Sequence, residues 1–209
     1  MNTEEYAKKK LELLELAEQL FEQKTYEKCT INDILKEAKI AKGTFYYYFK
    51  SKEEVLNAII ESKTKEIMIR MEEVVTSSRS PEEKLVQAFL KMQIKKPNQD
   101  TLLEELHKEE NALMHIKSLR ELVQKVSPYL EKIVKEGIQQ GIWTCDYPKE
   151  YMELFLTTAI TITDVGIVQE QKEQNKTIVV LVSLLEKMLQ VEPNHFINLL
   201  ITVRTKNGG

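Results

Sequence analysis

The fold of this chain is decided by residues 30–52, which read TINDILKEAKIAKGTFYYYFKSK. This stretch predicts a short helix over 31–38, a tight turn, a second short helix over 42–48 and the start of a longer helix. Helices this short are not stable alone in water, so both need a longer helix to pack on. The helical periodicity of residues 4–23 supplies one. A short helix pair joined by such a turn is the layout of a helix-turn-helix, whose second helix enters the DNA major groove.

Helical geometry divides the side chains of the second short helix between two faces. At about 100° per residue, Phe45 and Phe49 fall on one side and mark the face towards the core. Gly43, Thr44 and Tyr47 fall on the opposite side. A glycine lets the backbone approach another molecule closely, and the hydroxyl groups can donate hydrogen bonds to phosphates or base edges. The three consecutive tyrosines of this helix cannot all face one core, so at least one ring lies in solvent or on a partner.

The charge pattern sets this segment apart from the rest of the chain. The 209 residues carry 30 Lys and Arg against 33 Asp and Glu, a net charge of −3 that by itself does not favour nucleic acid. Residues 36–52 contain five lysines and one acidic residue, which gives a net charge of +4 there and −7 elsewhere. A local basic surface is what electrostatic binding to phosphates requires.

Residues 8–60 resemble the N-terminal domain of TetR-type transcriptional regulators. The resemblance is carried by Ala17, Leu20 and Phe21 in the first helix, by Thr30 through Ile34, and by Lys42 through Phe49. It implies an all-α fold with a three-helix helix-turn-helix DNA-binding domain over residues 1–50. A larger helical domain for effector binding and dimerisation would follow over residues 51–209.

The resemblance also implies which side chains contact DNA. The expected contacts come from the recognition helix, its supporting helix and the start of the next helix: Thr30, Asn32, Lys42, Gly43, Thr44, Tyr46, Tyr47, Tyr48 and Lys52. For each tyrosine the alternative is packing, and that alternative is strongest for Tyr48.

Two residues depart from the family pattern next to the recognition helix. Lys39 stands where the family often has glycine, and Ala41 stands where it often has a serine cap. A lysine in the left-handed conformation costs about 1 kcal/mol more than glycine. A missing cap oxygen costs roughly another 1 kcal/mol. We therefore expect the helix over 42–48 to be frayed without DNA and ordered by it.

The rest of the chain keeps helical periodicity almost throughout. It predicts helices over 52–77, 81–95, 99–113, 117–140, 148–170, 175–190 and 193–203. Pro128 either kinks the helix over 117–140 or begins a new one. In 148–170 and 175–190 apolar residues cover most of the circumference, so a partner subunit is expected to cover one side. The resemblance likewise implies a homodimer closed by these two helices, and two-fold symmetry makes the operator pseudo-palindromic.

The resemblance implies a pocket for a small-molecule effector within the helices between about 63 and 170. Methionines give an adaptable apolar lining, an aromatic ring can form a wall, and a carboxylate could bind a cationic group. The candidates are Met68, Met92, Met114, Phe155 and Asp164. The alternative is core packing, and for Asp164 also the dimer interface.

These observations predict a sequence-specific DNA-binding transcriptional regulator, a repressor that a small-molecule ligand releases from its operator. The alternative is a helical dimeric protein-interaction module with a vestigial DNA-binding head. The sequence shows no Gly-rich phosphate loop, metal-ligand spacing or catalytic triad, so we expect no enzymatic activity, cofactor or metal.

The same sequence bears on where the protein works. No apolar run approaches the roughly 20 residues of a membrane-spanning helix, and the start has no secretory signal pattern. Cys29 and Cys145 are isolated and are typical of reduced thiols. We therefore expect a cytoplasmic protein.

Overall fold

The computed structural model describes residues 3–24, 26–92, 112–164 and 171–199 of the chain. Over these ranges its regular structure is helical, with no strand. The helices are α1 (Thr3–Lys24), α2 (Ile31–Ala38), α3 (Lys42–Tyr48), α4 (Lys52–Thr76), α5 (Pro81–Met92), α6 (Ala112–Gln139), α7 (Pro148–Asp164) and α8 (Gln171–Met188). Residues 195–199 are helical as well. The all-α fold expected from the sequence is confirmed.

Helix α6 differs from the sequence prediction at two points. The sequence predicts a connection between the helices over 99–113 and 117–140, but residues 112–139 form a single helix. Residues 112–118 contain no glycine or proline that would end it. The rest of the expected helix over 99–113 lies outside the described residues. The helix also continues through Pro128, which therefore does not begin a new helix.

Side-chain caps fix where several helices begin. Thr30 and Asp33 form a complete capping box at the start of α2. Ser51 Oγ accepts from the backbone N–H of Glu54 at 3.1 Å, before α4. Ser80 Oγ accepts from the N–H of Glu83 at 3.2 Å, and Pro81 occupies the first position of α5. Each cap satisfies an amide that the first helical turn leaves without a partner.

By their contacts, the described residues divide into two compact units. The first contains residues up to 66 and the start of α6 over 112–116, and the second contains 67–92 and the residues from 117 onwards. The core of the first unit is formed by buried side chains of α1, α2, α3 and the start of α4, among them Phe21, Ile34, Phe45, Phe49 and Leu56. Burial of these large apolar groups stabilises the two short helices that could not stand alone.

The second unit has its own core, built on α5, α6, α7, α8 and the later part of α4. Its fully buried side chains include Met71, Leu85, Leu130, Ile133 and Met152. No helix within the described residues is long and apolar enough to span a membrane.

A buried ion pair and a tryptophan join elements of the second core. Lys84 Nζ of α5 lies 2.8 Å from Glu136 Oε2 of α6, and the lysine is almost fully buried. Trp143 lies after α6 and donates from its indole N–H to the carbonyl oxygen of Val134 at 2.8 Å. A side chain at Gly137 would overlap the Trp143 ring, because an added Cβ would lie 2.1 Å from a ring atom.

Candidate nucleic-acid interface

Helix α3 presents one buried and one exposed face, as its periodicity predicts. Phe45 and Phe49 are both 1% exposed and point into the core of the first unit. Gly43, Thr44 and Tyr47 are exposed, and the Tyr47 ring keeps 62% of its surface in solvent. A large aromatic ring on the outer face of a seven-residue helix contributes little to the core, so its position favours contact with a partner.

The three tyrosines of α3 have different surroundings. Tyr46 is 45% exposed, and Lys42 Nζ lies 5.9 Å from the centre of its ring. Tyr48 is 5% exposed and belongs to the core, with its ring centre 5.0 Å from that of Tyr6 in α1. Its removal from water raises the pKa of the Tyr48 hydroxyl. The surroundings of Tyr48 therefore favour the packing alternative over the expected DNA contact.

Gly43 has no role in the packing of α3. A Cβ added at this position would meet no atom within 4 Å, so the space above the backbone is open. Gly43, Thr44, Tyr47 and Tyr48 line a shallow cleft there. Gly43 is the second residue of α3, and glycine costs up to about 1 kcal/mol relative to alanine in a helix, with the full cost in the interior. The folded unit gives no reason for that cost, whereas close approach of another molecule would.

The turn between α2 and α3 has the two departures noted in the sequence. Lys39 adopts the left-handed conformation, with φ 52° and ψ 42°. The backbone N–H of Ile40 donates to the carbonyl oxygen of Leu35 at 3.1 Å, which closes the end of α2. Ala41 occupies the N-cap position of α3 and provides no side-chain cap. The left-handed Lys39 weakens the end of α2, and the uncapped Ala41 weakens the start of α3, relative to a glycine and a serine at these positions.

Thr30 and Asn32 lie at the start of α2, and both are exposed. Thr30 Oγ1 donates to Asp33 Oδ2 at 2.7 Å and accepts from the Asp33 N–H at 3.2 Å. The Thr30 hydroxyl, with Lys24 Nζ at 2.9 Å, holds the pKa of the Asp33 carboxyl well below its usual range. This geometry gives Thr30 a capping role. A contact from its hydroxyl proton to a phosphate would require that proton to turn away from Asp33.

Lys52 is the first residue of α4, and its ammonium group is partly occupied. It donates to the carbonyl oxygens of Tyr26 at 2.7 Å and Cys29 at 3.0 Å, and it lies 4.1 Å from the centre of the Tyr26 ring. These bonds hold the α1–α2 connection against the start of α4. An ammonium group has three donors, so one is left for the phosphate contact that the sequence predicts.

Four further lysines form the exposed basic part of this surface. Lys36, Lys39, Lys42 and Lys50 are all exposed on α2, α3 and the segments that follow them. The only acidic side chain between residues 36 and 52 is Glu37. The exposed part of the helix-turn-helix is therefore positive. It attracts a polyanion, and salt weakens that attraction.

The sequence predicts no role for Tyr6 of α1. Its ring centre lies 5.5 Å from that of Tyr47 and 5.0 Å from that of Tyr48. No pattern in the sequence could have indicated this contact, because it joins two residues about forty positions apart through the packing of α1 beside α3.

Four of the five expected effector residues lie in the second unit, whereas Met114 lies in the first. The side chains of three of them are described. Met68 and Met92 are half-buried, and Met92 packs against the core. Phe155 is buried, with its ring centre 5.1 Å from that of Phe89. The side chains of Met114 and Asp164 lie outside the described residues.

Titratable side chains of the described residues do not gather into a metal site. Within that part of the chain, no three His, Cys, Asp or Glu side chains lie where they could hold a metal ion together. Cys29 and Cys145 are free and buried, and burial raises the pKa of both thiols. Raised thiol pKa values are typical of unreactive cysteines.

Models of known families match both parts of the chain. The model described as bacterial regulatory proteins of the tetR family matches residues 13–59. The model described as the tetracyclin repressor-like C-terminal domain matches residues 93–184.

Individual relatives support the same assignment. The uncharacterized HTH-type transcriptional regulator YhgD of Bacillus subtilis is 31% identical over 66% of this chain and 74% of its own length. The fatty acid metabolism regulator protein of the same organism is 26% identical over 64% of this chain and 70% of its own length. A crystal structure of a TetR-family regulator from Pectobacterium atrosepticum shares the fold, with a TM-score of 0.67 and 18% identity, over 92% of this chain and all of that one. The chain therefore belongs to the TetR family, and it is a DNA-binding transcriptional repressor of the helix-turn-helix type.

Proposed function

We propose that the exposed face of α3 reads a pseudo-palindromic operator and that a small-molecule effector releases the protein from it. The observation that carries the proposal is the combination of Gly43 and Tyr47 on the outer face of α3, where neither contributes to the core. Thr44 and Tyr46 offer hydroxyl groups on the same helix. The exposed lysines around them supply attraction to phosphates that does not depend on sequence.

The roles of the nine expected DNA-contact residues divide by their surroundings. Lys42, Gly43, Thr44, Tyr46 and Tyr47 are free to contact bases or the adjacent backbone, and Asn32 is free to contact a phosphate. Thr30 and Lys52 act mainly by holding the supporting segments in place, with Lys52 retaining one donor for a phosphate. Tyr48 acts through packing.

A homodimer is supported by apolar side chains on the outer surface of the second unit. Ile178, Val179 and Val180 of α8 and Leu154 of α7 are each about half exposed or more. The inner side chains Leu181 and Leu185 of α8 are buried. A helix that is apolar on both sides needs a cover on both, and a second copy of the chain provides it.

Effector control would operate through α4, whose side chains contribute to both cores. Val55, Leu56 and Ile59 pack in the first core, and Ile67 and Met71 pack in the second. We place the DNA-binding domain at residues 1–50, with the start of α4 packed on it, and the effector and dimerisation domain at 51–209. An effector bound near Met68, Met92 or Phe155 needs to favour the non-binding arrangement by only a few kcal/mol to release the operator. The complex would form in the cytoplasm, where bacterial DNA is found.

Selection from a pool of randomised duplexes tests this proposal. The purified protein is expected to enrich one palindromic sequence, and the affinity for it should fall steeply as salt rises. Lys42→Ala and Lys50→Ala each remove one phosphate contact. Each variant is therefore expected to make the plot of log affinity against log salt less steep by about one. Lys149→Ala, at an exposed lysine of α7, is the matched control and should leave the slope unchanged. A protein that enriches no sequence and shows no salt-dependent binding would instead be an interaction module.

A further inference from the structure

Three tyrosine rings from two helices form a closed cluster at the surface of α3. Tyr6 of α1 lies 5.5 Å from Tyr47 with the ring planes at 80°, and 5.0 Å from Tyr48 with the planes at 31°. Tyr47 and Tyr48 lie 5.1 Å apart with the planes at 83°. These separations and the edge-to-face arrangements are those that aromatic pairs favour. We refer to Tyr6, Tyr47 and Tyr48 as the tyrosine cluster.

The members of the tyrosine cluster differ in burial, and this difference separates the rings fixed by the core from the ring that is exposed. Tyr48 is 5% exposed and is fixed by the core of the first unit. Tyr6 is half-buried and packs against that same core. Tyr47 is 62% exposed. Tyr48 is the immediate neighbour of Tyr47 in the chain. Among the ring contacts of the described residues, the one that reaches Tyr47 from another helix is therefore that of Tyr6.

We propose that Tyr6 is a positioning residue for DNA recognition: by contacting the edge of the exposed Tyr47 ring, it holds that ring in one orientation before DNA arrives. The inference rests on the proposed function of α3 and extends it to a residue outside the helix-turn-helix. An unsupported ring on a surface helix samples several rotamers and loses that freedom on binding. A ring that is already held loses less, and its contacts therefore contribute more to affinity.

The cleft beside the tyrosine cluster shows why the orientation of Tyr47 matters. Gly43, Thr44, Tyr47 and Tyr48 line this cleft, which is open above Gly43. The Tyr47 ring forms one of its sides. A rotation of that ring about χ1 would change the width of the cleft. It would therefore also change which chemical group of the DNA fits into the cleft. Tyr6 thus acts on specificity as well as on affinity.

A double-mutant cycle on operator affinity tests the proposal. The probe is the duplex that the wild-type protein selects from a randomised pool, and an unrelated duplex of equal length measures non-specific binding. Tyr6→Ala is expected to weaken operator binding about tenfold, while Tyr6→Phe, which keeps the ring, stays within about twofold of wild type. Non-specific binding should change little in either variant, because it depends on phosphate charge rather than on the Tyr47 ring.

The decisive comparison is the effect of Tyr6→Ala when Tyr47 is already Ala. If Tyr6 acts through Tyr47, its removal has no further effect on operator affinity in that background. An equal loss in both backgrounds, or no loss from Tyr6→Ala while Tyr47→Ala weakens binding, overturns the proposal and leaves the function of α3 intact. Full affinity in Tyr47→Ala and Lys42→Ala would instead contradict the proposed function itself.

Two further variants separate positioning from a loss of folding. Tyr6→Leu keeps an apolar side chain against the core but removes the ring, and it is expected to behave like Tyr6→Ala on the operator. Leu11→Ala removes a 48% exposed apolar side chain from the same helix and should leave operator affinity unchanged. Each variant is compared at a temperature at which its helical circular dichroism matches that of the wild type. Operator affinity of Tyr6→Leu equal to wild type under that condition would contradict a role for the ring.

Discussion

Gly43 and Tyr47 are the residues of α3 that the folded protein does not explain. A glycine lowers the stability of a helix, and a tyrosine ring left in solvent gives up the burial that aromatic side chains provide. Phe45, between them in the sequence, is 1% exposed and accounts for the packing of the helix. Residues that cost stability on an exposed face are expected where another molecule supplies the missing contacts. In this chain we propose that this molecule is operator DNA.

Replacing Gly43 by Ala should separate the stability of the protein from its affinity for DNA. The free energy of unfolding is expected to rise by up to about 1 kcal/mol, because alanine favours the helix and an added Cβ meets no atom. Operator affinity is expected to fall, because the methyl group narrows the approach to the backbone. Urea unfolding and a fluorescence anisotropy titration measure the two quantities.

Gly141→Ala is the control for the Gly43 substitution. An added Cβ at Gly141 also meets no atom, but its φ of +70° is strained for alanine. This variant should lose about 1 kcal/mol of stability and keep its operator affinity. If Gly43→Ala bound the operator as tightly as the wild type, close approach at Gly43 would have no part in recognition.

At the scale of the element, the helix-turn-helix combines a firm supporting helix with a recognition helix whose start is weakly held. The complete capping box of Thr30 and Asp33 stabilises the start of α2. Helix α3 begins at Ala41 without a side-chain cap, and the turn before it contains the left-handed Lys39. The weak points therefore lie at the end of α2 and at the start of α3, on both sides of the turn. This is the segment that we expect DNA to order.

Asp33 makes the stability of α2 depend on pH. The folded protein lowers the pKa of this carboxyl, chiefly through the hydrogen bond from the Thr30 hydroxyl and then that from Lys24. A group whose pKa is lowered by folding stabilises the protein above its unfolded value of about 3.9, and that contribution is lost as pH falls further. We therefore expect the wild type to be more stable than Asp33→Asn at neutral pH. The difference should shrink below about pH 4.

Urea unfolding at neutral pH and at several acidic pH values measures this difference. Asp146→Asn, at an exposed aspartate after α6, is the matched control. A gap between wild type and Asp33→Asn that stays constant from neutral to acidic pH would show that ionisation of Asp33 does not stabilise α2.

The turn before α3 predicts that this helix is ordered by DNA. Because Phe45, Tyr48 and Phe49 fix the rest of the helix in the core, we expect the fraying to be confined to its start. In amide hydrogen exchange, residues 42–45 of the wild type should be weakly protected alone and strongly protected with the operator. The double variant Lys39→Gly with Ala41→Ser should already protect this helix without DNA, because each change contributes about 1 kcal/mol. Equal protection of wild-type α3 with and without the operator would contradict the expected fraying.

The sequence predicts the elements of the first unit more fully than the contacts between them. The bounds of α2 and α3 and the buried face of α3 follow from local periodicity and capping, so they could be predicted to the residue. The contact of Tyr6 with Tyr47 and the bonds of Lys52 to two carbonyl oxygens depend on how α1, α3 and α4 pack, which no local pattern specifies. The missed continuity of α6 has a similar cause. The hydrophobic periodicity is interrupted near residue 115, which led to the predicted connection. Because no glycine or proline lies there, the helix continues through this point.

For the whole molecule, the net charge of −3 is an average over unlike parts. Five lysines and one acidic residue between positions 36 and 52 carry the positive charge, and the remainder of the chain is acidic. Most of that negative charge lies in residues 1–35 and 53–62, while residues 63–209 carry 20 basic and 21 acidic residues and are nearly neutral. The positive helix-turn-helix is therefore the part of the chain that attracts the phosphates.

The apolar surface of α8 predicts that the protein works as a dimer. Replacing Val179 by Glu places a charge on a half-exposed apolar surface, and we expect it to convert the dimer into a monomer. Operator affinity should fall when the dimer is lost, because two separate monomers must then bind the two half-sites independently. Sedimentation velocity measures the oligomeric state.

Ile69→Glu is the control for the Val179 substitution. Ile69 lies on α4 and is 62% exposed, and the substitution should leave the dimer intact. A Val179→Glu protein that sediments as the wild type would show that α8 does not form the interface.

The most direct test of DNA reading by α3 is the operator affinity of Tyr47→Ala, measured against Ile69→Ala. Both substitutions remove apolar side chains that are 62% exposed, so their effects on stability should be similarly small. We expect Tyr47→Ala to lose about tenfold or more in operator affinity, because a base contact is worth about 1–3 kcal/mol, while Ile69→Ala binds as the wild type. Equal operator affinity in wild type, Tyr47→Ala and Ile69→Ala would contradict the reading of DNA by the exposed face of α3.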